Sequence, residues 1–306
     1  MEFEHKPVLL EEVLSFALPS DRLALDYTLG GAGHAAALLA ACPQLTLLGS
    51  DRDPWALDAA KAHLKSFGDR AQIRKGWFAE AAQKDLEDGL KADFILADLG
   101  VSSPQLDQSE RGFSFRADGP LDMRMDPETG ISAAQWLAEG PQKELTWVFN
   151  SYGEEPMAPR LARAVVEARD KAPITSTGQL AKIIEDAYPW KMRPKKIHPA
   201  TQSFQAIRIF INDELGQLDR FLESATHLLN KGGRLLIISF HSLEDRRVKE
   251  AFLKWEKPCQ CPPNLPRCIC GLLPLGKRIT RKPIIAGAGE NNPRARSAKL
   301  RAFMAQ

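Results

Sequence analysis

Long apolar runs are missing from this chain of 306 residues: none approaches the roughly 18 to 20 residues needed to span a bilayer. Its start, Met1-Glu2-Phe3-Glu4-His5, lacks a basic region followed by an apolar one, so no secretory leader is read there and a cytoplasmic location is expected. Low-complexity tracts are also absent. With 44% apolar and 26% charged residues, this argues for a globular chain with a real core and against disorder. Acidic residues are missing from Ala187 to Ile211, where Lys191, Arg193, Lys195, Lys196 and His198 sit among Tyr188 and Trp190. They are scarce again from Asp245 to Gln306, with fourteen Lys or Arg against four Asp or Glu, although the whole chain nets only +2. Basic residues interleaved with aromatics suit a phosphate backbone and stacked bases. A solvated basic face is the equal alternative on composition alone.

Apolar runs bounded by turn residues alternate with helix-like segments through the first hundred residues. Leu23 to Leu29, Leu45 to Ser50, Gln72 to Trp77 and Asp93 to Ala97 read as strands, and Gly33 to Ala41 and Pro54 to Phe67 as helices. That order implies a parallel, doubly wound α/β sheet. The pattern breaks after Gly100 in a loop rich in Ser, Gly, Asp and Arg. From about Gln108 to Pro199 only helical signals follow, including a capping box at Ser176-Thr177-Gly178-Gln179. The expected organisation is a discontinuous sheet domain over 1–107 and 200–306, with an all-helical domain inserted over 108–199. From Ser203 one long amphipathic helix is expected, carrying Ile207, Ile211, Leu215, Leu218 and Leu222 and ending at Lys231-Gly232-Gly233. Arg234 to Phe240 then reads as a buried strand, Leu243 to Trp255 as a helix, and Lys277 to Ile285 with Ala298 to Met304 as an antiparallel hairpin. A mostly parallel sheet finished by such a hairpin is the layout of class I methyltransferases.

Leu25-Asp26-Tyr27-Thr28-Leu29-Gly30-Gly31-Ala32-Gly33-His34 places a glycine-rich turn between the first strand and the first helix, where backbone can come close to a ligand. Asp51 closes the second strand and suits the ribose hydroxyls of a nucleoside. These features alone leave NAD open, because Gly31, Gly33 and Ala36 fit the looser dinucleotide fingerprint. Asp26, placed to hold a methionine ammonium, and Ala97-Asp98-Leu99-Gly100 at the end of the fourth strand favour S-adenosyl-L-methionine. Asp26, Asp51, Phe78 and Asp98 would converge on one crevice outside the strand ends, with Phe78 equally readable as core. Ser103-Pro104 partly matches the short motif that amino-methylating enzymes carry at this position. Hydrogen-bond acceptors aimed at a nucleobase amino group favour the tetrahedral nitrogen that attacks a methyl, and Asp98 and Ser103 are assigned those roles, with a structural role the alternative for either and Ser103 equally readable as a turn residue before proline. The displacement is in-line and needs neither a metal nor a covalent intermediate.

Asp98 and Ser103 lie within one of several longer runs that stand out: His5-Lys6-Pro7-Val8-Leu9-Leu10, Asp98 to Gln105, Glu110-Arg111-Gly112-Phe113-Ser114-Phe115, Gly119 to Asp126, His198-Pro199-Ala200-Thr201, Ser239 to Arg246 and Asn292 to Ser297. Over nearly its whole length the chain resembles the RsmH (MraW) family of ribosomal small-subunit RNA cytosine-N4 methyltransferases. The resemblance implies a Rossmann-like methyltransferase sheet with a helical insert, acting on a cytosine in the decoding centre of 16S rRNA. It implies S-adenosyl-L-methionine as cofactor, no membrane partner, and a monomer or homodimer. Ala32, Gly33, His34, Asp51, Phe78, Asp98 and Gln105 would then contact the cofactor. The family usually has glycine where Tyr27 and Ala32 stand. His198 and His241 are RNA-facing candidates, and Asp122-Met123-Arg124-Met125-Asp126 reads as a hinge, a substrate lid or packing.

Four of the five cysteines fall in Cys259-Gln260-Cys261 and Cys268-Ile269-Cys270. Thiolates this close would hold zinc tetrahedrally, and any such ion would be structural. A turn with reduced thiols is the other reading, so the sequence alone assigns no metal ligand. Cys42 reads as core.

Overall fold

The apolar run Ala92–Asp98 is buried along nearly its whole length, as a strand in the middle of a parallel sheet must be. It is the fourth strand in a computed structural model that describes residues 7–262, 269–287 and 293–306. In chain order the elements are α1 (Leu10–Leu14), β1 (Leu23–Asp26), α2 (Gly33–Ala41), β2 (Thr46–Asp51), α3 (Pro54–Leu64), β3 (Ala71–Lys75), α4 (Phe78–Glu87) and β4 (Ala92–Asp98). Next come α5 (Ser103–Asp107), α6 (Ala133–Glu139), α7 (Gln142–Gly153), α8 (Ala158–Arg169), α9 (Thr177–Ala187) and α10 (Thr201–Ile211). The chain finishes with α11 (Glu214–Ala225), β5 (Leu229–Ser239), α12 (Ser242–Glu256), β6 (Gly276–Arg278), β7 (Ile284–Ile285) and β8 (Lys299–Ala305).

The chain divides into two units, one of residues 1–100 with 215–306 and one of Val101–Glu214. The first is built on a single sheet in the order β3-β2-β1-β4-β5-β8-β6, with β7 also on β8. Strands β1 to β5 run parallel, and β8 is antiparallel to β5. Side-chain alternation divides its core. Phe94, Leu96, Leu236 and Ile238 pack with α2 and α3 on one face; Ile95, Ala97, Leu235 and Ile237 pack with α4, α11 and α12 on the other. This is a Rossmann-like α/β sheet, mostly parallel, with the antiparallel finish read from the sequence.

The second unit has its own core, to which α6 to α10 contribute Trp136, Leu145, Phe149, Leu161, Leu180 and Ile207. It takes in 101–214 where the sequence suggested 108–199. The reason lies at its two ends: Val101 and Leu106 pack against this core, and α10 buries Phe204, Ala206 and Ile207 in it. The expected capping box at Ser176 and Gln179 opens α9. Met123 and Met125 are buried, Asp122 binds Arg124 at 2.7 Å, and Arg111 donates to the carbonyls of Arg124 and Met125, contacts that favour the packing reading of Asp122 to Asp126.

The single long helix expected from Ser203 is two helices. It breaks at Asn212-Asp213, where Asp213 has φ +45° and the Asn212 amide is spent inside the second unit, donating to Met123 O at 2.7 Å and accepting from Met125 N at 2.8 Å. Lys231-Gly232-Gly233 lies within β5 instead of ending a helix. The late hairpin is also divided. Both β6 and β7 pair with β8, and between them the Thr280 hydroxyl accepts the Ala302 amide at 2.9 Å in place of a backbone carbonyl. His5, Lys6, Cys268 and Asn292 lie outside the described residues, as does the side chain of Ser103.

Candidate active site

Strand order reverses between β1 and β4, and parallel sheets bind their ligands outside the carboxyl ends at such a point. Three carboxylates end strands there: Asp26 on β1, Asp51 on β2 and Asp98 on β4. The loop from Tyr27 to Ala32 is tied to all three. Thr28 N donates to Asp26 Oδ1 at 3.1 Å, Gly30 N to Asp51 Oδ2 at 2.8 Å, and Asp98 N to the Thr28 hydroxyl at 2.6 Å. His63 Nδ1 adds a 2.9 Å contact to Gly31 O.

Small residues at the turn have separate causes. A Cβ on Gly33 would stand 2.5 Å from the Pro7 ring, so only glycine lets α2 begin against Pro7. A Cβ on Gly31 would meet nothing within 4 Å, so the backbone there faces open space. Ala32 is fully buried in the left-handed conformation at φ +64°, which accounts for glycine being usual there in the family that the chain resembles. It caps α2 without a side-chain hydrogen bond. Tyr27, the other departure, points away from the loop: its hydroxyl donates to Asp85 at 2.7 Å, Arg74 pairs with the same carboxylate, and the ring packs edge-on against Phe221.

The electrostatics of the three acids are unusual. Burial pushes Asp26 up to about 7, against the Thr28 amide, which favours the ionised form, and with a further rise from the Asp51 charge. Burial also raises Asp51, opposed by the amides of Asp53 and Gly30. Asp98 is held well above the usual carboxylate range by burial, then by the charges of Asp26 and Glu244. Its Oδ1 is buried with no hydrogen-bond partner among the described residues, and its Oδ2 is 3.8 Å from His34 Nδ1. His34 is fixed through Nε2, 3.0 Å from Val8 O. A pocket of crowded carboxylates is suited to a cation, which would restore their charge. An open glycine backbone, an uncapped helix start and an unpartnered buried oxygen together fit a nucleoside ligand that carries positive charge.

The structure therefore brings Ala32, Gly33, His34, Asp51 and Asp98 together with Asp26 in the first unit. Phe78 opens α4 at the end of β3 and packs edge-on against Phe221, so it is at least partly core. Gln105 belongs to the second unit, where its side-chain oxygen accepts from Ser102 N at 2.9 Å and closes a capping box at the start of α5. Ser103 stands at the first position of that helix. His241 exposes 9% of its side chain and lies 3.2 Å from Glu244, which makes it a poor RNA-facing candidate. His198 is exposed on the second unit and stacks against Phe115. Sequence reasoning missed Thr28 and His63, which fix the loop, and the Arg52 guanidinium stacked 4.4 Å over Trp77 beside the end of β2.

A model of the MraW methylase family matches residues 2–306. A protein of Symbiobacterium thermophilum named ribosomal RNA small subunit methyltransferase H is 48% identical over 311 residues, covering 99% of this chain and 97% of the relative. One of the same name from Geobacter sulfurreducens is 48% identical over 307 residues, 99% of each chain. Among solved structures, a putative rRNA methylase from Clostridium thermocellum covers 97% of this chain and 95% of its own, at 12% identity and a TM-score of 0.41. Matched from residue 2 to its last residue, the chain belongs to the MraW methylase family.

Proposed function

We propose that the protein methylates the exocyclic N4 of a cytosine in the decoding centre of 16S rRNA, by direct in-line displacement without a covalent intermediate. At the coarser level, it is a methyltransferase of small-subunit ribosomal RNA. The cofactor is S-adenosyl-L-methionine, which when bound supplies an electrophilic methyl on a sulfonium leaving group. Asp51 would accept from its ribose hydroxyls, and Asp26 with the start of α2 would hold its amino-acid end. The observation that carries the reading is the buried, unpartnered Oδ1 of Asp98 among carboxylates whose ionised forms a bound cation would favour. Ionised, that oxygen would accept from a nucleobase N–H and favour a tetrahedral amino nitrogen whose lone pair has left conjugation with the ring, and it would take up the proton that the nitrogen sheds once methylated. Ser103, five residues on, is the second proposed acceptor, and Gln105 is proposed to line the cofactor while it caps α5.

The second unit supplies a surface for the RNA. Trp190 is 82% exposed beside exposed Lys191, Lys195 and Lys196, an arrangement suited to stacking and phosphate contact. The target base must leave its stack to reach the methyl, at a cost of a few kcal/mol.

The test is transfer of labelled methyl to small subunits from cells that lack this protein, followed by nucleoside analysis. Label in N4-methylcytidine is expected, and Asp98→Ala should abolish it while the cofactor still binds. Label in another nucleoside would discard the amino-group assignment, and transfer at the wild-type rate by the variant would remove the role of Asp98.

A further inference from the structure

The segment from Lys257 to Leu275, between α12 and β6, has no helix or strand among its described residues, yet both its ends are pinned. Leu275 N donates to Trp255 O at 2.9 Å, and Arg278 grips Glu256 through its backbone amide at 3.1 Å and its guanidinium at 2.8 and 2.6 Å. Among its described residues the segment shows no apolar cluster of its own: Ile269 and Leu273 are each 79% exposed. Loops of this length without regular structure are uncommon in compact units and call for another organiser.

Sulfur gathers there. The Sγ atoms of Cys259, Cys261 and Cys270 all lie within 4.8 Å of one another, although the outer two are far apart along the chain. Thiolates about 2.3 Å from a tetrahedral zinc stand about 3.8 Å apart, so this cluster needs only a small contraction to become a ligand set. A second observation points the same way. The Ile269 amide donates to Cys261 Sγ at 3.3 Å, the kind of outer hydrogen bond that orients a coordinating thiolate and disperses its charge.

We propose that Cys259, Cys261 and Cys270 bind one zinc ion that staples this loop into a fixed shape. Three soft sulfur donors select zinc over magnesium or calcium. On binding, each thiol that ligates releases its proton to solvent, so the site fills as pH rises. Cys268 lies outside the described residues. Three thiolates leave one tetrahedral position for a further donor such as water, and the assignment stands independently of the reaction proposed above.

The experiment is metal analysis of the full chain purified under reducing conditions without chelator, alongside Cys259→Ser, Cys270→Ser and, as a control, Cys42→Ser. About one equivalent of zinc is expected in the wild type and the control, falling below about a tenth in the other two variants. Cobalt reconstitution of the wild type gives a readout that needs no variant to fold: tetrahedral thiolate coordination produces intense sulfur-to-cobalt charge-transfer bands. Zinc below about a tenth of an equivalent after reconstitution would overturn the proposal. So would zinc retained in both variants, iron with labile sulfide in its place, or cobalt bound without those bands.

Discussion

Replacing Asp26 with asparagine should stabilise the protein without cofactor at neutral and alkaline pH while weakening cofactor binding. Asparagine keeps an oxygen for the Thr28 amide and removes the buried charge. Burial raises the Asp26 pKa from 3.8 to about 7, so the folded state holds this proton more tightly than the unfolded chain does. Stability from that proton is present below about pH 4 and drains away as pH climbs through about 7, where the folded carboxyl finally ionises. Each pKa unit corresponds to 1.36 kcal/mol, so three units amount to about 4 kcal/mol. Asp26→Asn does not suffer that loss. Urea titrations of both proteins at about pH 4.5, 6 and 8 should show a small difference that grows to about 4 kcal/mol. A difference that stays constant with pH, or an Asp26→Asn protein less stable than wild type at the highest pH, would refute the reasoning. Removing this charge also relieves Asp98, whose pKa should fall.

Tyr27→Phe deletes the buried hydroxyl that donates to Asp85 but leaves Arg74 on the carboxylate, so a loss of about 1 to 2 kcal/mol is expected by urea denaturation. An unchanged midpoint would mean that Arg74 alone satisfies Asp85. Ala32→Gly should relieve left-handed strain of about 1 kcal/mol, partly offset by the freer unfolded chain, and leave the protein equally or slightly more stable. A clear loss of stability would place the worth of that methyl in packing. Lys195→Glu with Lys196→Glu should weaken RNA binding and flatten its dependence on salt, measured as the slope of log affinity against log salt concentration. Unchanged affinity and slope would remove this stretch from the RNA surface.

What was readable in advance follows the range of the interactions. Strands β1 to β5 announced themselves as local apolar runs, and the capping box of α9 is a four-residue signal. The acids at the strand ends were legible because a strand, a glycine turn and a helix fix where a terminal Asp must lie. The break between α10 and α11 was hidden because Ile207, Ile211, Leu215, Leu218 and Leu222 keep helical spacing across it while serving two different cores. Its cause, Asn212 reaching Met123 and Met125, spans nearly ninety residues and leaves no local trace. Lys231-Gly232-Gly233 misled for the opposite reason, since two adjacent glycines look like a helix end wherever they occur. Tyr27 with Asp85 and Arg74, and His63 with Gly31, likewise join residues distant in sequence. Neither spacing nor composition could have paired them.

The register that sets Asp98 of β4 beside Ile238 of β5 joins two strands that the ribosome makes far apart in time. The whole second unit, with its own core, is synthesised between them. Until β5 emerges, β4 is the open edge of a four-stranded half-sheet, exposing its hydrogen-bonding groups beside Phe94, Ile95 and Leu96. Nascent chains halted before Leu229 should therefore hold a protease-resistant second unit beside a sheet fragment that aggregates or recruits chaperones, and pulse proteolysis of stalled chains would reveal it. Pairing with β5 covers that edge, and β5 is the open edge in its turn until β8 is made and pairs with it, so the same vulnerability passes from one strand to the next along the growing chain.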